Sequence, residues 1–86
     1  MRGRLMSVDD PLRKRLESEP RPAVMLTFSE VEDILGRPLP ASAYRFNAWW
    51  GNESARAGHT QSQAWLLAGF EARVSLQRRT VEFRRS

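Results

Sequence analysis

The 86 residues carry 14 basic and 10 acidic side chains, one histidine and no cysteine, for a net charge of +4. A chain of this length makes one domain with a small core, and without cysteine it has no disulfide and no thiolate metal site. No apolar run approaches the ~20 residues that span a bilayer, and MRGRLMSVDDP has no signal-type apolar stretch, so the expected location is the cytoplasm.

Residues 1–8 read as a flexible leader, and residues 9–86 as a single α+β domain. DDPLRKRLESEP predicts a short helix: Asp10 can cap it, Pro11 suits its first turn, and Leu12 and Leu16 share a face. Pro20 and Pro22 end it. AVMLT reads as a strand with Val24 and Leu26 on one side. In TFSEVEDILG, Thr27 and Glu30 have capping-box spacing, and Phe28, Val31, Ile34 and Leu35 form a helical apolar stripe. Gly36 is placed to close that helix, and Pro38 forbids its continuation.

After the turn RPLP, ASAYRFNAWW predicts one helix with Ala43, Phe46 and Trp50 on a common face. GNESARAG has loop composition, and HTQSQAWLLAGF reads as a further helix with a Thr60/Gln63 capping box and Gly69 at its end. The apolar period then changes to two. Phe70, Ala72, Val74 and Leu76 alternate with Glu71, Arg73 and Ser75, and Val81 and Phe83 alternate with Thr80, Glu82 and Arg84. This is a hairpin turning near QRR. The element order nearly matches a winged helix-turn-helix, with three to four short helices over a small three-stranded antiparallel sheet and one helix too many.

The charge is unevenly placed. Residues 1–36 hold six basic and seven acidic side chains, whereas residues 37–86 hold eight arginines and three glutamates. A basic half attracts polyanions, although an arginine-rich composition also follows from codon usage. Four groups of residues could exploit it. On a helix-turn-helix reading, Arg45 and Asn47 could reach base edges, arginine suiting guanine and asparagine adenine. The plainer reading is a helical corner packed on the sheet. Trp49 could stack on a base, with Trp50 and Trp65 filling the core. Asn52, His59, Gln61 and Gln63 offer amides and an imidazole to a base edge or phosphate, or simply cap the helix and tie the loop together. Arg73, Arg78, Arg79, Arg84 and Arg85 on the hairpin could bind phosphates as a wing does, or solvate an edge strand.

Nothing favours an enzyme: one histidine and no carboxylate cluster leave neither a metal set nor a Ser-His-Asp pattern, and no cofactor motif occurs. The leading expectation is a non-catalytic nucleic-acid-binding module, with duplex DNA favoured over RNA or single strands. The alternative is a protein-interaction or homodimerisation domain in which Trp49, Tyr44 and Phe70 form an apolar patch rimmed by arginines.

The ordered segments DPL, LTFSEVEDILGRPLPASA, AWWGN, QAWLLAGF and VEFRR together resemble a family of small uncharacterised bacterial domains that stand alone or are appended to larger, nuclease-like proteins. The resemblance spans residues 9–85 and implies a shared fold. Attachment to nucleases implies an accessory nucleic-acid-binding role. ESARAGHTQ departs from the family pattern by being longer and richer in glycine.

Overall fold

The computed structural model describes residues 10–51 and 63–86. Their elements follow the order α1 (Asp10–Glu17), β1 (Ala23–Thr27), α2 (Phe28–Leu35), α3 (Ala41–Arg45), a 3-10 turn (Asn47–Trp50), α4 (Gln63–Leu66), β2 (Phe70–Ser75) and β3 (Thr80–Arg85). The result is a small α+β fold. The three strands form one antiparallel sheet in the order β1-β3-β2, so the last strand lies at the centre.

Alternation along the strands decides which face of the sheet is covered. Val24 and Leu26, Phe70 and Ala72, and Val81 and Phe83 turn inward and are buried. The helices supply Leu12, Leu16, Phe28, Val31, Ala43 and Trp65 to the same core, and α1 packs on both α2 and α4. The outward face reads in three cross-strand rows: Ala23, Arg84 and Glu71; Met25, Glu82 and Arg73; and Thr27, Thr80 and Ser75.

The second helix starts and stops as its sequence requires. Glu30 N–H donates to Thr27 Oγ1 at 3.0 Å, and Thr27 N–H donates to Glu30 Oε1 at 2.8 Å, which completes the capping box. Gly36 closes the helix in the left-handed region at φ 76°, where a side chain would be strained. The expected caps at Asp10 and at Thr60/Gln63 lie outside the residues whose side chains are described.

One predicted helix is broken. ASAYRFNAWW does not run continuously: Phe46 is extended, at φ −127° and ψ 124°, between α3 and the 3-10 turn. Tertiary burial overrides helical propensity here. In an unbroken helix the Ala43 carbonyl would receive the N–H of residue 47. Instead it accepts the indole N–H of Trp50 at 2.9 Å. That bond lets Trp50 enter the core with its polar atom satisfied. Phe46 is exposed as a result: it leaves the face it was expected to share with Ala43 and Trp50, and stands 57% exposed.

Candidate nucleic-acid interface

The hairpin tip meets the α2–α3 corner through backbone and ring contacts. Residues Leu76–Arg79 form the turn. It lacks glycine, so Arg79 itself takes the left-handed conformation at φ 55°. The Arg79 carbonyl accepts the N–H of Phe28 at 2.9 Å, which joins the tip to the start of α2. The Arg79 guanidinium lies over the Tyr44 ring, 5.3 Å from its centroid. Tyr44 in turn meets Phe28 edge-on at 5.2 Å and donates its hydroxyl to Glu32 Oε2 at 2.7 Å.

Glu32 also accepts the N–H of Leu39 at 2.8 Å. That backbone bond foremost, and then the Tyr44 hydroxyl, hold its carboxyl below the ordinary value of 4.5. The same hydrogen bond first, with burial second, raises the Tyr44 phenol. Glu30, on the same helix, completes the capping box. Glu30 and Glu32 are therefore engaged with backbone and with Tyr44, whereas Asp33, the third acidic residue of α2, is exposed.

The candidate arginines divide into two sets. Arg78 and Arg79 are exposed at the hairpin tip, and Arg45 is exposed immediately after Tyr44. Arg45 and Arg78 have no ion-pair partner among the described residues. Arg73 and Arg84 instead lie on the outward sheet face among carboxylates. Arg84 donates to Glu82 Oε2 at 3.0 Å and stands opposite Glu71, while Arg73 stands opposite Glu82. Arg85, counted with the hairpin by sequence, serves the fold itself. It stacks over Phe70 at 4.6 Å and donates to the Glu19 carbonyl at 2.8 Å.

Asn47 is exposed at the first position of the 3-10 turn, next to Arg45 and Phe46. It does not sit with Arg45 on one groove-reading helix, because α3 ends at Arg45 after five residues. Trp49 is half-buried and packs edge-on against Trp50 at 4.7 Å, whereas Trp50 and Trp65 are core residues, as their spacing led us to expect. Asn52, His59 and Gln61 lie outside the described residues. The apolar patch of Trp49, Tyr44 and Phe70 is not present as such: Phe70 is fully buried, because its inward position on β2 places it in the core.

Two features escaped the sequence reading. Glu19 is buried beyond the end of α1, where its carboxylate accepts from Arg15 at 2.9 Å and from Arg21 at 2.7 Å. The ESEPR run carried the charges, but nothing in it marked one for burial. The exposed Phe46 ring was hidden by the assumption of a continuous helix.

Among the described residues no group of three or more histidine, aspartate or glutamate side chains is arranged to hold a metal, and no helix is long and apolar enough to cross a membrane. No curated protein and no solved structure matches the chain. The family model of a domain of unknown function, DUF7662, matches residues 10–86, nearly the whole chain, and the protein belongs to that family.

Proposed function

We propose that this domain is a non-catalytic nucleic-acid-binding module that engages duplex DNA chiefly through phosphate contacts from the hairpin tip. One observation carries the reading: Arg78 and Arg79 stand exposed at a tip fixed to the α2–α3 corner, with Arg79 supported by Tyr44 and the residue after Tyr44, Arg45, also exposed. Guanidinium groups held on a fixed backbone suit phosphate oxygens, which position a protein on a duplex. The strand order, with the first strand paired to a C-terminal hairpin, suits a winged-helix-like arrangement in which the hairpin acts as wing. The association with nuclease-like proteins implied by the sequence resemblance fits an accessory role of this kind. Arg73 and Arg84 contribute less, because Glu71 and Glu82 balance them. Base selection falls to Asn47 rather than to a recognition helix.

Fluorescence anisotropy with labelled duplex DNA at two salt concentrations tests this. The expected affinity is micromolar or tighter and falls steeply with salt, because each neutralised phosphate releases counterions. Arg78→Ala with Arg79→Ala weakens binding on all sequences alike and lowers the salt slope by about 2, while Asn47→Ala reduces discrimination. An affinity untouched by these changes refutes the assignment.

A second reading, self-association, rests on Met25, which is 62% exposed on the outward face of the edge strand β1. Light scattering across protein concentrations separates the two: a salt-insensitive dimer that ignores DNA favours this alternative.

A further inference from the structure

The break at Phe46 has chemistry of its own. Arg45, Phe46 and Asn47 are consecutive and all exposed, on a backbone fixed from both sides. Phe46 N–H donates to the Ser42 carbonyl at 3.0 Å, and the Phe46 carbonyl accepts the N–H of Trp49 at 3.1 Å. The 3-10 turn is anchored below by Trp50, which stacks on Phe28 at 5.0 Å and on Trp65 at 5.9 Å. The ring is thus presented from a rigid support, the condition under which an aromatic group binds with least ordering cost. Phe46 is also singular by burial. The other three phenylalanines, Phe28, Phe70 and Phe83, are almost completely enclosed.

Building on the nucleic-acid reading above, we propose that Arg45, Phe46 and Asn47 form a binding site for an unpaired nucleotide at an interruption in a duplex. The three side chains match the three parts of such a ligand. A guanidinium without an ion-pair partner among the described residues meets the phosphate. The exposed ring stacks on the base, whose faces are free only where it has left the duplex stack. The amide of Asn47 offers a donor and an acceptor to the base edge. Along the chain the site follows Tyr44 directly, and Tyr44 carries Arg79 of the hairpin tip on its ring. Flanking duplex would run along the hairpin tip while the displaced nucleotide reaches Phe46.

The test compares a perfect duplex with the same duplex carrying a single extrahelical 2-aminopurine. Wild-type protein should bind the bulged duplex ~10-fold more tightly and quench the probe on stacking. Phe46→Ala should abolish both the preference and the quenching while leaving perfect-duplex affinity unchanged, and Phe46→Trp should retain both. Thermal melts establish that the variants fold. Perfect-duplex binding with no bulge preference, or a preference that survives Phe46→Ala, overturns this site and leaves the phosphate reading standing. No binding to either duplex overturns both. Conversion of a dimer to a monomer by Phe46→Ala also overturns the site, by assigning the ring to self-association.

Discussion

The Tyr44 hydroxyl donates to Glu32 Oε2 at 2.7 Å, and this contact ties α3 to α2 across the Gly36–Pro40 turn. The same oxygen receives the Leu39 N–H, so one carboxylate fixes both the turn and the ring on which Arg79 rests. The candidate interface is therefore coupled to the fold through a titratable group.

Acid should weaken the fold through two carboxylates. Leu39 and then Tyr44 hold Glu32 below its ordinary value of 4.5, and Glu19 is lowered to about 2, mainly by hydrogen bonds from the Arg21 side chain and backbone against the opposing effect of burial. The unfolded chain takes up protons at these groups at a higher pH than the native chain does. Their contribution is thus complete above pH 4.5 and is lost as pH falls through the native values, toward about 2 for Glu19. The melting temperature should fall over that window. Glu19→Gln should lower it at pH 6 and flatten the acid limb; a melting temperature unchanged down to pH 2 would deny both pairs any part in stability.

Tyr44→Phe isolates the hydroxyl from the ring. The ring contacts to Phe28 and Arg79 remain, and only the bond to Glu32 is lost. A net hydrogen bond contributes about 1 kcal/mol, which lowers the melting temperature of a domain this size by about 4–8 °C. Tyr44→Ala should cost more and should also weaken DNA binding, because Arg79 loses its support. Equal stabilities of the two variants would show that the ring contacts contribute nothing.

Sequence made the frame legible wherever local signals agreed with tertiary packing. The Thr27/Glu30 box, the Gly36 cap and the two-residue alternation of both hairpin strands each named their own structure. It failed at Phe46, where burial of Trp50 and its bond to the Ala43 carbonyl override a helical period. The arginines were visible as a count, but their partners were not. Arg84 pairs with Glu82 two residues back on its own strand, Arg73 comes to stand opposite Glu82 only through strand register, and Arg85 reaches the Glu19 carbonyl across 66 residues of chain. Which guanidinium groups remain available to a polyanion depends on neighbours along and across the strands, so composition alone overstated the basic surface of the hairpin.

The tryptophans should separate by function. Trp65 is fully buried against Trp50 and Phe83, so Trp65→Ala should cost about 3–5 kcal/mol and leave a domain this small largely unfolded. Trp49 is half-buried on the rim, and Trp49→Ala should cost about 1–2 kcal/mol while the fold persists. Urea titration monitored by circular dichroism measures both. Comparable losses at the two positions would place Trp49 within the core rather than on its edge.

Arg79 offers a way to remove a charge from the proposed interface without unfolding the protein. Its φ of 55° is a conformation that glycine adopts freely and that costs another residue about 1 kcal/mol. Its guanidinium over Tyr44 returns about 0.5–1 kcal/mol at an exposed site. Arg79→Gly exchanges one effect for the other, so stability should change by no more than about 0.5 kcal/mol. Arg79→Ala loses the stacking and keeps the strain, and should be less stable than the glycine variant by about 1 kcal/mol. Both should lower the salt slope of DNA binding by about 1. If the alanine variant proves as stable as the glycine variant, the backbone at the hairpin tip is not held in the left-handed conformation, and Arg79 is not fixed over Tyr44 in the way the proposed phosphate contact requires.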